Sequence, residues 1–245
     1  MSSATSPSRK PLAIGAGVLV AAVLLGFASY TATEPDRAPS VGSSSAADVS
    51  AEPRAGTYPE LERLARRDAG DPLAMGRVDA PVVMVEYADF QCGYCGKFAR
   101  DTEPQLVKKY VDAGVLRIEW RNFPIFGEAS EAAARAAWAA GQQGRFWQFH
   151  AAAYADDAKE KGFGPDRLTA LAREAGVGDL DRFARDLHSD AARRAVTKDQ
   201  EEGYGLGATS TPSFLINGRP IAGAQPMETF TEAVEAAART AKQGS

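Results

Sequence analysis

From Pro11 to Thr33 the chain carries no charged residue, and the apolar run PLAIGAGVLVAAVLLGFASY fills most of that window. A helix of this length would span about 34 Å, against a hydrocarbon core of roughly 30 Å. The pattern therefore predicts a cytoplasmic stub and single transmembrane anchor over residues 1–33. Arg9 and Lys10 hold the N-terminus inside and everything after the run is exported. Cleavage as a signal peptide near Gly26-Phe27-Ala28 is the alternative, and it exports the same remainder as a secreted protein. No cysteine lies near the end of the run, which excludes a lipoprotein anchor. Residues 34–56 are rich in Ser, Ala, Pro and Gly without periodicity and read as a flexible linker with a coil span of about 25 Å. The folded domain is expected over residues 57–245.

Within that domain the hydrophobic period changes several times. YPELERLARRDAG places Leu61 and Leu64 among charges and predicts a short amphipathic helix ending at Gly70. PVVMVEYADF, residues 81–90, is almost continuously apolar and predicts a strand covered on both faces. Residues 92–110 predict a helix kinked by Pro104, and LRIEW, residues 116–120, alternates as a second strand. From about residue 128 to 204 the pattern is helical and Ala-rich, with Pro165 at a helix start and Gly176 at a stop. PSFLI, residues 212–216, then Asn217-Gly218 and RPIAG predict a β-hairpin, and a last helix runs from about 226 to 242. The order is strand, helix, strand, helical block, hairpin, helix: an α/β domain with a helical insertion.

Composition narrows the function. Of 245 residues, 44% are hydrophobic and 24% charged, which excludes a wholly disordered chain. The net charge of -4, with no basic run, argues against nucleic-acid binding. Arg9 and Lys10 are the only charges before residue 34, so the exported part is more acidic still and is not drawn to anionic lipid. The chain has two cysteines, Cys92 and Cys95. A CxxC pair just after a buried strand and at a helix start puts Cys92 where unpaired backbone N–H groups and the macrodipole favour a thiolate. Its pKa should fall from about 8.5 into a window of roughly 3.5–7.5, while Cys95 faces inward and resolves mixed disulfides. A purely structural disulfide across two residues would add little stability. Zinc needs four ligands, whereas only His150 and His188 accompany the two thiols. Gly96 after the second Cys excludes a haem signature. No metal or cofactor is expected beyond the redox-active Cys92–Cys95 disulfide.

VEYADFQCGYC and the later TSTPSFLING resemble the DsbA-like branch of the thioredoxin superfamily, in its membrane-anchored or secreted Gram-positive form, over roughly residues 72–240. The resemblance implies a thioredoxin fold with an inserted helical domain and thiol-disulfide oxidoreductase activity on exported proteins. It also implies a membrane partner that reoxidises the pair. Pro212 matches the family's cis-proline, and Thr211 before it would pair with an extended substrate segment. Glu86, six residues before Cys92, matches the family's buried acid, which relays the proton of the inner thiol. Tyr94 reads as an exposed contact residue. Trp147, Phe149 and His150 read as core, His150 as a hydrogen-bonded histidine, and Asp89 and Gln91 acquire no role. The prototype has Pro-His between its cysteines where this chain has Gly93-Tyr94, and Gly-Tyr together with a Thr before the cis-proline is the pattern of a periplasmic isomerase. Residues 34–71 are too short and polar to supply that isomerase's dimerisation domain. The expectation is a monomeric oxidase. An isomerase or reductase of the same fold, and a tethered non-catalytic binding module, stay open as alternatives.

Overall fold

The computed structural model describes residues 56–156 and 161–243. The expected anchor and, except for Gly56, the expected linker lie outside the described residues. Among the described residues no helix is long and apolar enough to cross a membrane. Five strands form one sheet in the order β1-β3-β2-β4-β5. They are β1 (Ala74–Met75), β2 (Val82–Ala88), β3 (Leu116–Asn122), β4 (Ser213–Ile216) and β5 (Arg219–Ala222). β2 and β3 are parallel, and the other pairings are antiparallel. The two-residue strand β1 is invisible in the hydrophobic pattern.

β2 is buried along its whole length because both sheet faces are covered. Val82 and Met84 face one core with Phe98, Leu106, Phe214 and Phe230, whereas Val83, Val85 and Tyr87 face a second core with Phe123 and Leu215. Helices α2 (Gly93–Asp101) and α3 (Glu103–Leu106) cover the first face, together with the C-terminal helix α9 (Met227–Gln243). The helix expected over residues 92–110 is thus broken at Thr102, just before Pro104, and its last part, Val107–Val111, is a π-helical turn. The hairpin turn places both Asn217 (φ 41°) and Gly218 (φ 79°) in the left-handed region, as a two-residue turn of this type requires.

The insertion consists of α4 (Glu128–Gly141), α5 (Phe146–Ala153), α6 (Pro165–Glu174), α7 (Leu180–Leu187) and α8 (Asp190–Gly205). Asp179 and Ser189 cap α7 and α8 by accepting from the N–H groups of Arg182 and Ala192. Small Ala side chains on α4 bring it close to Phe146, Phe149, Leu168, Leu171 and Phe183, forming a third core that extends to Phe90 and the two cysteines.

The helix expected after the linker shrinks to α1 (Pro59–Glu62). Leu61 and Leu64 do pack on the sheet, but the chain then turns through Arg67 (φ 47°). There the backbone N–H groups of Arg66 and Arg67 donate to the Glu119 carboxylate at 2.9 and 2.8 Å, a destination no helix pattern reveals. The polar positions of β3 are buried like its apolar ones. Glu119 binds Arg117 (3.0 Å) and Arg121 (2.8 Å), while Arg121 reaches Glu202 and Arg66 reaches Asp199 and Glu202. Burial alone would raise the Glu119 pKa, but hydrogen bonds from Arg121, the Arg66 and Arg67 backbone and Arg117 overcome it and hold the group down at about 2.

Removing one member of such a cluster leaves buried charges without a counterion. Glu119→Gln should cost about 3 kcal/mol or more in denaturant unfolding at neutral pH. Because the folded group titrates below its ordinary value of 4.5, its stabilisation is complete above that value and is lost as pH falls toward about 2. The gap between wild type and variant should narrow over that acidic window.

Candidate active site

The end of β2 runs into a loop that Asp89 organises. Its buried carboxylate accepts from the Gln91 N–H and the Ser130 hydroxyl through Oδ1, both at 2.7 Å. Through Oδ2 it accepts from the N–H groups of Ile125 (2.7 Å) and Phe126 (3.2 Å). The Asp89 carbonyl accepts from the Cys92 N–H at 3.0 Å and the Tyr154 hydroxyl at 2.9 Å. One residue therefore ties the active-site loop to β3's exit, to α4 and to α5. Sequence reasoning left Asp89 without a role, because nothing along the chain signals partners 36 to 65 residues away. Gln91 joins the same network through Ser130.

Cys92 is the N-cap of α2, and its Sγ accepts from the Cys95 N–H at 3.4 Å. As a thiol it also donates to the Thr211 carbonyl at 3.2 Å. Its pKa is lowered to about 6: the hydrogen bond from Cys95 contributes most, burial opposes it, and the Thr211 side chain adds to the depression. Cys95 is fully buried one turn inside the helix, and burial pushes its thiol well above the ordinary range. Two sulfurs three residues apart thus differ in acidity because one caps the helix and the other lies under it.

Thr211 and Pro212 form the opposite wall, and the bond between them is cis. Tyr94 is 69% exposed at the tip of the CxxC loop, and Phe126, held by the Asp89 network, is 55% exposed. A cleft of about 200 Å³ lies beside Cys92, lined by Phe90, Gly96, Arg100, Tyr154 and Asp156 among others. Gly96 makes room for it: a Cβ there would lie 2.8 Å from Arg100 Nη1 and 3.4 Å from the Tyr154 ring. Arg100 in turn donates to the Tyr154 carbonyl (2.8 Å) and pairs with Asp156, fastening α2 to the insertion.

Glu86 is buried in β2, on the face covered by α2, and its Oε2 has no hydrogen-bond partner. Burial raises its pKa well above the carboxylate range, and the neighbouring Glu103 raises it further. The structure brings Cys92, Cys95, Thr211 and Pro212 together, with Glu86 beneath the helix and Tyr94 at the rim. His150 departs from its expected state. It lies in the core, but its Nε2 has no partner among the described residues, and its Nδ1 lies 3.6 Å from the Glu103 carboxyl. Among the described residues no cluster of His, Cys, Asp and Glu could hold a metal ion.

Comparison with known proteins gives this geometry a lineage. Residues 68–236, well over half the chain, match the family described as Thioredoxin. The chain belongs to that family. It is 32% identical over 150 residues to the probable disulfide bond formation protein D of Bacillus cereus, covering 59% of this chain and 69% of the relative. The crystal structure of oxidised BdbD from Bacillus subtilis superposes with a TM-score of 0.64 at 25% identity, over 69% of this chain and 94% of that one. A Na(+)/H(+) antiporter, NhaA 3 of Salinispora tropica, is 33% identical over 171 residues, 68% of this chain, but the chain spans only 25% of the antiporter's length. Family, fold and site make this a DsbA-like protein disulfide oxidoreductase.

The two thiols should separate cleanly by alkylation. In the reduced protein, the rate of Cys92 modification should rise with pH with a midpoint at about 6, while Cys95 stays unmodified until the fold is opened. A midpoint near the ordinary thiol value would contradict the capping geometry.

Proposed function

We propose that the chain is an extracytoplasmic oxidase, held at the membrane by residues 11–33, that donates the Cys92–Cys95 disulfide to exported proteins and is reoxidised by a membrane partner. The observation that carries this reading is the capped Cys92 with its pKa of about 6 beside a buried Cys95. A stabilised thiolate favours the reduced pair, and so favours handing the disulfide on; it also makes Cys92 a good leaving group. The relatives named for disulfide bond formation support the same direction.

In this cycle a substrate thiolate attacks the Cys92 sulfur. A substrate–Cys92 bond forms, the Cys92–Cys95 bond breaks, and the electron pair leaves on Cys95, which takes up a proton from Glu86. A second substrate thiolate then attacks the first substrate sulfur and expels Cys92 as a thiolate. The substrate gains a disulfide and the enzyme pair gains two electrons, which the partner must remove. The two sulfurs suffice for the exchange, with no bound metal or cofactor. The backbone of Thr211 would hold the substrate as an added strand beside the cis-Pro212, and the exposed ring of Tyr94 would contact its neighbouring side chains.

Mixing the oxidised protein with a reduced, unfolded substrate should yield substrate disulfides in stoichiometric amount. Cys92→Ser should abolish turnover, and Cys95→Ser should accumulate mixed disulfides visible on a non-reducing gel. A wild-type protein that leaves the reduced substrate untouched but rearranges a scrambled one would replace oxidase with isomerase, the alternative that Gly93-Tyr94 and Thr211 favour.

A further inference from the structure

Beneath the catalytic helix lies a cluster of which the exchange cycle uses only Glu86. Glu103, on α3, and His150, on α5, are both buried and meet at 3.6 Å. Glu86 faces the same layer from β2. Three buried polar atoms in this cluster, Glu86 Oε2, Glu103 Oε1 and His150 Nε2, have no hydrogen-bond partner. Such orphans are costly, and their concentration in one place calls for a functional reason. A second cleft, of about 410 Å³, opens onto Glu103 and His150, and Arg100 and Tyr154 line both this cleft and the one beside Cys92.

We propose that Glu103 is the second member of a two-carboxyl proton path that connects Cys95, through Glu86, to this second cleft, with His150 holding the Glu103 carboxyl in position. The proposal rests on the oxidoreductase reading and extends it. When Cys95 leaves as a thiolate it takes a proton from the Glu86 carboxyl. In the same step Glu86 takes the proton of Glu103, and water in the cleft then recharges Glu103. In reoxidation the same proton travels outward, so no proton need cross the face that the substrate covers.

The electrostatics agree with the geometry. Burial raises Glu103 to about 8, close to neutrality, where a carboxyl both gives and accepts a proton readily. Burial lowers His150 to about 3, so it stays neutral and presents a ring nitrogen to Glu103 rather than a charge. Of the other titratable groups, Glu86 acts on Glu103 from β2, and the Tyr154 ring at the end of α5 lies 4.9 Å from that of His150 with its hydroxyl already donated to the Asp89 carbonyl. Tyr154 is raised by burial and then by the charges of Cys95 and Glu86. At the cleft's lining stand Arg100, Lys108 and Asp112, and Arg100 is already engaged with Asp156 and the Tyr154 carbonyl.

The test is single-turnover oxidation of a reduced dithiol peptide by the full-length protein and its Glu103→Gln variant, over a pH series passing through 8. Delivery of the proton needs a protonated Glu103. The wild-type rate, expressed per substrate thiolate, should therefore fall as pH rises through about 8. In Glu103→Gln that inflection should vanish and the rate at neutral pH should drop about tenfold, less than the loss of a direct general acid. Glu103→Asp should restore the inflection, and the Cys92 alkylation midpoint should remain at about 6 in both variants. An inflection that persists in Glu103→Gln overturns the path. Should that variant fail to fold, the isotope-labelled wild-type carboxyl decides: titration near 8 supports the path, and titration in the ordinary range overturns it. A wild type that cannot oxidise the peptide overturns the oxidase reading itself, which distinguishes the two failures.

Discussion

The arrangement depends on how one carboxylate, Asp89, is satisfied. It ends the buried strand β2 and accepts four hydrogen bonds from four residues, while its carbonyl accepts the Cys92 N–H and the Tyr154 hydroxyl. A buried carboxylate would be untenable without such partners, and with them it fixes every segment that supplies one. The consequence is positional. The start of α2 cannot shift without breaking bonds to the exit of β3 and to two helices of the insertion. The insertion is therefore part of the active site's frame, although it contributes neither sulfur.

That fixed helix start creates the difference between the two cysteines. Cys92 ends where backbone N–H groups are free, so a negative sulfur there gains hydrogen bonds and the favourable end of the helix dipole. Cys95 lies one turn further, fully buried, where a negative sulfur gains burial cost instead. Capping and depth, two consequences of a single helix, separate the acidities of the two sulfurs. Arg100 then fastens the same helix to the end of α5, in space that only Gly96 leaves open.

The parts of this organisation that were legible in the sequence are those encoded locally. The continuous apolar run of β2, the Asn217-Gly218 turn, the Pro165 helix start and the CxxC spacing each act within a few residues, so pattern alone reads them. Pro212 and Glu86 became candidates only through resemblance to a family, because a proline and a glutamate in isolation do not announce their neighbours. Asp89, Glu103 and Phe126 were not legible at all, since what distinguishes them is burial or exposure created by segments distant in sequence. The same cause truncated α1: Leu61 and Leu64 kept their helical spacing, but Glu119 on β3 claimed the N–H groups of Arg66 and Arg67. An alternating strand such as β3 is ordinarily taken to show its polar face to water. Here Arg117, Glu119 and Arg121 find each other and α8 instead, so the alternation separates an apolar face from an ionic one.

The two kinds of buried acid in this fold obey opposite energetics. Glu119 is surrounded by cations and N–H donors, its pKa falls to about 2, and at neutral pH its charge supports the folded state. Glu86 and Glu103 have no cation acting on them among the described residues, and burial raises both. A carboxyl whose folded pKa is raised is neutral to stability below its ordinary value. It works against folding as pH rises above that value, because the unfolded chain releases the proton more readily. At neutral pH these two residues therefore oppose the fold that Glu119 supports, and an apolar residue in either place would serve packing better. Under the proposed proton path, a fold that keeps two such groups beneath its reactive helix retains them for the proton that moves when Cys95 changes partner.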